Sequence, residues 1–492
     1  MACTYYGRKK ILSTEEVITP ENVADVVSSA LNIHNTNARD IAYLYDYFKG
    51  RQDILDRTKE IRDDICNKVV INRAAQIVNF KRGYLLTKDI QYIRNGEVGK
   101  QQSDSIKQLN AYMKSEGKPT KDSVLAEWMY ICGTGYRYVA GKRWVGHDEI
   151  AHEDNESPFE FYTLDPRECF VAYSREVGNK PLFACLRSTP IDTELNPNEY
   201  TVYTADSIYK LEDNALKKVS ANPLGAIPII EYPENNSRLG AFEIVLSILD
   251  ELNNVVSNQI DDLEQTVQAL LVFIGVDMDA KDADGNPVNT MAAIRSRGGV
   301  CLPDKDCDAK YLSLQLASGQ ATSALNYLES ALVEICGIPN GTRTGSESTT
   351  GAAEQYRGGW ESAETMASNT QTMWCESEKD FLKIVLHILR ENGGTDLRVN
   401  EIEPHFNRQN AINIQSRVQA FTGLWASGAI DLHDSIMISG IAHDVETVTE
   451  NGLAWYNEQQ QKQERELQMA MKQEQDAGTD KGDEVNADEQ EV

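Results

Sequence analysis

The sequence predicts an α+β protein that is mostly helical, and three observations support this fold class. Residues 241–274 carry an apolar side chain at every third or fourth position, which is the repeat of one helix face. Five short β-rich runs, parted by Pro, Asp, Asn and Gly, lie between residues 136 and 203. The helical repeat returns from residue 316 onward. With 492 residues the chain is too long for one ordinary core, so about three domains are expected.

The composition limits the functional classes. A formal net charge of −28 argues against tight binding of nucleic acid over a broad surface, because phosphate affinity comes from clustered Lys and Arg. It is compatible with a protein that DNA slides past without sticking. The sequence contains no apolar run of about 18 residues and no signal peptide, so we expect a soluble protein that does not contact membranes. Nine scattered cysteines indicate reduced thiols in a cytosolic compartment.

The first part of the chain predicts helices followed by a sheet. Pro20 suits the first turn of a helix, and two helices are expected before residue 49. Further helices are predicted over residues 64–84, 103–115 and 122–132. The β-rich runs are residues 136–139, 159–164, 169–173, 182–186 and 200–203. Together they predict an antiparallel sheet set on helices, in a body that ends at the turn-rich residues 232–236.

The long helix predicted over residues 241–274 is acidic on the face opposite its apolar stripe. The stretch contains no Lys or Arg, and its carboxylates include Asp250, Glu251, Asp261, Asp262 and Glu264. A helix with charges of one sign gains nothing from opposite-charge pairs along its own face. The acidic residues are therefore either a solvated face of a bundle helix or a feature that serves the function.

A small β-rich segment, residues 275–312, follows this helix and precedes a second helix over residues 316–336. It is too small for a core of its own and would gain from packing against copies of itself. Residues 337–351 are rich in Gly, Ser and Thr, with Arg343 and Glu347 as their only charges. A long helix kinked at Gly358-Gly359 is expected next, then a helical region over residues 411–456 and a polar acidic tail.

No catalytic motif stands out from the sequence. The chain lacks a phosphate-binding Gly-x-x-x-x-Gly-Lys-Ser/Thr loop and a His-Glu-x-x-His pair. A calcium loop aligned on Gly285 would have Ala280 and Met291 at two ligand positions, which argues against calcium. We expect no enzymatic activity, no metal and no cofactor. Two alternatives stay open: a metal-dependent hydrolase that uses Asp261 and Asp262, and a helical scaffold protein with an acidic adaptor tail.

The order of these elements resembles the portal proteins of tailed bacteriophages, in particular the family typified by Bacillus siphophages. Residues 72–85 are similar to that family's N-terminal helix and turn, and residues 222–236 to its approach to the first stem helix. Residues 406–408, 421–424 and 444–446 are similar to its crown. The resemblance spans roughly residues 20–456. One departure is the stretch 349–353, which replaces a Ser-Gly-x-Ala-Leu-like sequence and leaves the position of the loop tip open.

The resemblance implies a portal fold assembled as a ring, usually of twelve subunits, at one capsid vertex. It implies the following domains: wing 1–238, first stem helix 239–274, clip 275–312, second stem helix 313–337, tunnel loop 338–351, kinked long helix of the wing 352–395, helical crown 396–460, and a polar acidic tail 461–492, partly disordered. The implied function is a channel in the virion through which double-stranded DNA is packaged and ejected. Assembly would take place in the cytoplasm of the host bacterium.

The resemblance also implies functional residues and partners. The tunnel loop would present Asn340, Gly341, Thr342, Arg343, Thr344, Gly345, Ser346, Glu347 and Ser348 to DNA. Candidates for lining the tunnel are Asp250, Glu251, Asp261, Asp262 and Glu264. The clip residues Arg295, Arg297 and Asp284 are candidates for contacting terminase. Expected partners are further copies of the chain, double-stranded DNA, the terminase large subunit, a head-completion or adaptor protein, and the major capsid and scaffolding proteins.

Overall fold

The computed structural model describes most of the chain in two compact units. The described residues are 7–60, 63–94, 100–142, 157–188, 198–267, 270–274, 308–312, 318–339, 359–392, 394–406, 408, 411–428, 430–439, 441 and 445–483. The first unit comprises Met1–Leu85 and Gly99–Val399, and the second comprises Leu86–Val98 and Asn400–Val492. The mixture of helices and sheets confirms the prediction of a mostly helical α+β fold.

The first unit contains seven of the described helices. They are α1 (Val23–Phe48), α2 (Arg73–Leu85), α3 (Lys100–Ser115), α4 (Lys118–Cys132), α5 (Leu246–Val267), α6 (Ser318–Cys336) and α7 (Trp360–Glu391). Its strands are β1 (Ile11–Leu12), β3 (Thr134–Gly141), β4 (Phe159–Leu164), β5 (Cys169–Tyr173), β6 (Pro181–Arg187), β7 (Glu199–Tyr203), β8 (Ser207–Glu212), β9 (Ala215–Ala221), β10 (Ile229–Pro233), β11 (Leu270–Ile274) and β12 (Asp308–Leu312).

Two sheets and three helices form a layered core. The larger sheet has the strand order β1-β5-β6-β7-β8-β9, and the smaller sheet has the order β10-β3-β4. Side chains alternate across β5, so that Phe170 packs toward α1 while Val171 packs toward the smaller sheet. Helices α4 and α7 contact the smaller sheet, where the ring of Phe161 meets that of Phe381 at 5.2 Å. Strands β5 and β6 of the larger sheet are therefore covered on both faces.

Four charged side chains lie inside this core. Lys118 and Asp122 on α4, Arg137 on β3 and Glu378 on α7 are each at most 2% exposed. The Lys118 Nζ atom lies 2.6 Å from Asp122 Oδ2 and 3.1 Å from Glu378 Oε1. Arg137 pairs with Asp122 and lies 3.3 Å from Glu378 Oε2. Two cations thus meet two carboxylates, which is the condition under which buried charges are tolerated.

Neutral donors complete this buried ion cluster. The hydroxyl of Tyr232 on β10 donates a hydrogen bond of 2.8 Å to Glu378 Oε2, and the indole N–H of Trp374 donates one of 3.2 Å to the same atom. Burial, together with the Glu378 carboxylate, raises the pKa of Tyr232 well above its usual value, although Arg137 opposes the shift. The hydroxyl therefore stays protonated and serves as a donor.

The approach to α5 is fixed by close backbone contact with the end of α4. The amide of Ala241 donates a hydrogen bond of 2.7 Å to the carbonyl of Tyr130. A Cβ atom on Gly240 would lie 2.3 Å from the Ile131 carbonyl oxygen, so only glycine fits there. A buried ion pair of 2.6 Å between Arg8 and Glu243 closes the same junction. These contacts therefore fix the start of α5 relative to the end of α4.

Several predicted elements have different bounds. The single helix α1 replaces the two helices expected before residue 49. The helix predicted over residues 64–84 begins only at Arg73, because the preceding residues are extended. The β-rich runs are all strands, and β8, β9 and β10 were not predicted. The long helix predicted to reach residue 274 ends at Val267, since its last residues form β11, which pairs antiparallel with β12.

Part of the predicted kink at Gly358-Gly359 lies outside the described residues. Gly359 has a φ of +81° and occupies the N-cap position of α7, which begins at Trp360. The kink therefore stays a prediction, and the part of the predicted helix from Trp360 onward is observed.

The second unit consists of a short sheet and helices. Strand β2 (Gln91–Arg94) pairs antiparallel with β13 (Ile402–His405). The helices are α8 (Ala411–Ala426), α9 (Leu432–Ser439) and α10 (Val445–Asp483). Because α10 continues to residue 483, most of the segment expected to be a partly disordered tail is helical. Its Glu, Gln, Lys, Ala and Met residues have high helix propensity, and Glu458 and Lys462 pair one turn apart.

The buried ion cluster gives a stability prediction. Glu378→Gln removes one of two carboxylates that balance two buried cations, so the free energy of unfolding should fall by about 3–5 kcal/mol. Chemical denaturation followed by tryptophan emission measures this change, because Trp374 lies in the cluster.

The matched control is Asp380→Asn on the same helix. Asp380 pairs with Lys383 at 2.6 Å on the protein surface, and such exposed pairs contribute about 0–1 kcal/mol. Equal losses in the two variants would contradict a special role for the buried cluster.

Candidate functional site

The acidic helix α5 and the residues around it form the candidate site. Five of its carboxylates were predicted to line a tunnel, but they have different environments. Asp261 is buried, Asp250 and Glu264 are partly buried, and Glu251 and Asp262 are exposed. The fold thus divides a helix that is acidic along its sequence into a face that binds the rest of the chain and a face that carries exposed charge.

One face of α5 binds an extended segment, residues 67–71, through a ladder of hydrogen bonds. The amide of Asn67 donates to Asp261 Oδ1 at 2.7 Å, and that of Val69 donates to Ser257 Oγ at 3.0 Å. The amide of Ile71 donates to Asn253 Oδ1 at 2.8 Å. Alternate amides of an extended chain therefore meet side chains spaced four residues apart on a helix.

The geometry of the two elements explains this match. Two residues of extended chain advance by about 6.6 Å, and four residues of helix advance by about 6.0 Å. Asn253, Ser257 and Asp261 are each at most 1% exposed, so each side chain satisfies a backbone donor in a buried position. The sequence carries a signal for this ladder, namely three polar residues at i, i+4 and i+8 beside the apolar stripe, but it does not reveal their partner.

Two cations neutralise Asp261. Its Oδ2 atom lies 2.5 Å from Lys59 Nζ and 3.1 Å from Arg57 Nη1. Burial alone would raise the pKa of Asp261, but hydrogen bonds from Lys59 and Asn67 outweigh burial and lower the pKa below its usual value. Asp261 therefore stays ionised and bound within the subunit. The expectation that Asp261 lines a tunnel is not supported, because its charge is already balanced and inaccessible.

Two further carboxylates of α5 also bind other parts of the chain. Asp250 accepts a hydrogen bond of 2.8 Å from the hydroxyl of Tyr47 on α1. Burial, with the nearby charges of Asp53 and Glu251, raises the pKa of Asp250, although the Tyr47 hydrogen bond opposes the shift. Glu264 accepts a hydrogen bond of 2.8 Å from the side chain of Asn67. Both residues have structural partners and present less charge to their surroundings than the sequence suggested.

Glu251 and Asp262 point away from the ladder. They are eleven residues apart, which places them on one side of α5 about 16 Å from each other along the helix axis. Both side chains are exposed, so of the five predicted carboxylates these two present charge most openly.

Exposed apolar side chains accompany the acidic face. Ile260 and Leu263 on α5 are 37% and 61% exposed, and Tyr327 on α6 is 74% exposed. The first two belong to the apolar stripe that the sequence predicts to be buried. Within a single chain the buried part of this stripe is its beginning, at Phe242, Val245, Leu249 and Leu252. The outer part of α5 and α6 therefore leaves apolar surface uncovered in a single chain.

The predicted tunnel loop and clip lie mostly outside the described residues. Asn340 through Ser348 are outside them, as are Arg295, Arg297 and Asp284. The residues that border the loop are described. Gly337, with a φ of +64°, lies against Met366, and Gly359 lies beside Ile338 and Pro339. The chain therefore leaves α6 and enters α7 at nearly the same place.

Two further properties concern only the described part of the chain. There, no group of three or more His, Cys, Asp or Glu side chains is arranged to hold a metal ion. None of the helices in that part is both long enough and apolar enough to span a membrane.

The ladder makes a prediction about acid stability. Because the pKa of Asp261 is lowered in the folded chain, its contribution is complete above the ordinary pKa of about 3.9 and is lost as pH falls through the folded value. Asp261→Asn should lower the free energy of unfolding by about 1–3 kcal/mol near neutral pH and should weaken its decline in acid. Denaturation curves between about pH 3 and pH 7 measure both effects. Asp262→Asn is the control, and a similar loss in this exposed neighbour would contradict the role assigned to Asp261.

Comparison with solved structures finds low similarity over most of the chain. "Virion of native gene transfer agent (GTA) particle" is 12% identical and has a TM-score of 0.43, covering 82% of this chain and 94% of that one. "Neck of empty GTA particle computed with C6 symmetry" is 13% identical with a TM-score of 0.42, covering 75% and 90%. "Neck of native GTA particle computed with C12 symmetry" is 12% identical with a TM-score of 0.41, covering 75% and 89%.

No curated protein sequence matches the chain. The family model described as "Phage portal protein, SPP1 Gp6-like" matches residues 28–473, which is most of the 492 residues. This match confirms the resemblance based on element order, and it assigns the chain the role of a portal protein of a virus particle. The chain belongs to the SPP1 Gp6-like family of phage portal proteins.

Proposed function

We propose that the chain assembles into a closed ring of twelve copies at one vertex of a phage capsid, where double-stranded DNA passes through it during packaging and ejection. The family match over residues 28–473 carries this proposal. The ring would assemble in the host cytoplasm and become part of the virion. In this ring α5 and α6 would belong to the stem, residues 275–312 would form the clip, and residues 396–460 would form the crown.

Exposed apolar surface supports assembly between copies. Ile260, Leu263 and Tyr327 lie on helices that pack together within one chain, yet these side chains remain accessible. Burying one such side chain contributes about 1.5–3 kcal/mol. In a ring each subunit buries its surface against a different surface of the next copy, and the last copy closes on the first. The uncovered end of the predicted apolar stripe is then the contact surface.

Glu251 and Asp262 are the best candidates for lining the channel. Twelve copies would place two rings of carboxylates about 16 Å apart along the stem. Carboxylates repel phosphates over a distance of about 8 Å at physiological salt, so DNA would pass without forming ion pairs. Asp250 and Glu264 are weaker candidates because they are only partly exposed, and Asp261 is the weakest because it is buried and paired with Lys59 and Arg57.

The tunnel loop would touch the DNA directly. Arg343 is the basic residue within residues 340–348, and it would bind a phosphate transiently. Such a contact positions DNA without reading its sequence. The adjacent ends of the loop, at Gly337 and Gly359, would anchor it to the wall of the channel. Arg295, Arg297 and Asp284 in the clip would contact the terminase large subunit and the head-completion or adaptor protein. Other surfaces would bind the major capsid and scaffolding proteins.

The family is a structural one, and no observation favours the alternative functions. A metal-dependent hydrolase would need Asp261 as a ligand, but both of its oxygens are bound by cations and amide groups of the chain. A helical scaffold with an adaptor tail would leave the match of the layered core to the portal family unexplained.

The assembly proposal is tested with Leu263→Asp. A charge in place of an apolar contact residue should raise the concentration needed for ring formation more than tenfold, because it removes apolar burial and adds a desolvation penalty. Native mass spectrometry and negative-stain electron microscopy measure the populations of rings and monomers. Wild-type protein should form closed rings of twelve.

Val177→Asp is the matched control, because Val177 is fully exposed at the turn between β5 and β6. This variant should form rings like the wild type. Normal rings from Leu263→Asp would contradict the proposed contact surface. A stable wild-type monomer at high concentration would contradict the ring itself.

The charge proposal is tested with the double variant Glu251→Lys, Asp262→Lys. It would turn two negative rings positive, so DNA should be retained in the channel and packaging should fall at least several-fold, most strongly at low salt. Nuclease-protected DNA per particle measures packaging, and ring formation should be unchanged. Asp206→Lys, an exposed change in the turn between β7 and β8, should package normally. Normal packaging by the double variant at low salt would show that these carboxylates do not face the DNA.

A further inference from the structure

A small cavity lies where the N-terminal segment meets the turn before α5. Its volume is about 10 Å³, which is the space that one water-sized sphere occupies. Basic side chains dominate its lining, namely Arg8, Lys9, Lys10 and Arg238, and Glu231 is its only carboxylate. The cavity belongs to neither the acidic helix nor its hydrogen-bond ladder.

Arg8 is the most unusual residue of this lining. It is only 4% exposed, and one of its nitrogens, Nη2, lies 2.6 Å from Glu243. Its Nε and Nη1 atoms are buried and donate to no acceptor in the described chain. Buried donors of a charged group are costly to leave unsatisfied, and native proteins rarely do so. An acceptor other than the described residues would satisfy these donors.

The balance of charge favours an anion over a neutral acceptor. Glu243 balances Arg8, and Glu231 balances Arg238 at 2.6 Å, which leaves Lys10 without a carboxylate partner in the lining. Lys10 contacts Asn179 and the ring of Tyr173, and both contacts are uncharged. Partial burial and the nearby Arg238 guanidinium lower the pKa of Lys10, with Glu231 opposing them. The surroundings of this ammonium group are thus short of negative charge.

We propose that the cavity binds a single monatomic anion, of which chloride is the abundant example, through the unpartnered N–H groups of Arg8 and the ammonium group of Lys10. The small enclosed volume favours a monatomic ion over the larger phosphate and sulfate ions. Because Lys10 is exposed while lining the cavity, the anion would exchange with solvent.

The position of this anion site gives it a structural consequence. The Arg8 amide donates a hydrogen bond of 3.0 Å to the carbonyl of Arg238, and Asn37 on α1 bonds the backbone of Lys9 in both directions. The site therefore joins the N-terminal segment, α1 and the turn that leads into α5. Occupation by an anion would stabilise the junction that aims the acidic helix.

Replacing chloride by glutamate at constant ionic strength tests the proposal. The unfolding midpoint of the full chain should rise with chloride concentration and then saturate, with a total shift of about 2 °C or more. Lys10→Gln should lose most of this chloride-dependent shift. Lys210→Gln, which removes an exposed lysine of the larger sheet, should keep it and thus controls for net charge.

Bromide supplies an independent readout that does not depend on stability. Crystals grown in bromide should show an anomalous peak within about 3.5 Å of the Arg8 guanidinium in the wild type, and no peak in Lys10→Gln. A water molecule without anomalous signal at this position would overturn the proposal. A chloride-dependent shift that is equal in the wild type and Lys10→Gln would overturn it as well.

Discussion

The buried ion cluster is the constraint on which the rest of the first unit depends. Arg137 and Glu378 are 241 residues apart in sequence, and their contact joins the early sheet to a helix that begins after the loop. A buried group of two cations and two carboxylates is stable only when all four are present, so it fixes the relative position of α4, β3 and α7. The approach to α5 contacts α4 at Tyr130, and the residue after α6 contacts α7 at Met366, so both helices are connected to elements that the cluster joins.

The acidic helix α5 is also stabilised by pairing of its charges with distant residues. Its sequence contains no base, yet Asp261 finds Lys59 and Arg57 in a segment about 200 residues earlier. Ser257 and Asn253 continue that contact by accepting hydrogen bonds from the amides of Val69 and Ile71 in the extended segment 67–71. Side chains on one face of α5 thus accept the backbone hydrogen bonds that the carbonyl groups of a neighbouring strand would otherwise accept. What remains outward is a narrow acidic face bordered by apolar residues, and such a surface suits a subunit that packs against copies of itself around a channel.

The anion site, the glycine contacts at α4 and the hydrogen-bond ladder act at successive points along α5. Arg8 pairs with Glu243, and Gly240 packs against α4, just before the helix begins. Within the helix, Asp250 bonds to Tyr47, Asn253 bonds to the amide of Ile71, and Asp261 bonds to the amide of Asn67. A helix that is fixed over this length has one orientation relative to its own core. In a portal protein, that orientation decides which side chains of every copy face the passage and which face the neighbouring subunit.

Local patterns in the sequence determined the fold class, the order of elements and many strands, because alternation and helical repeat depend only on neighbouring residues. The runs 159–164 and 169–173 match β4 and β5 residue for residue. The same patterns failed where a distant partner decides the outcome. Residues 270–274 fit the helical stripe but pair with β12. Which carboxylates of α5 stay exposed was settled only by tertiary structure, because a side chain's burial depends on residues that folding brings beside it.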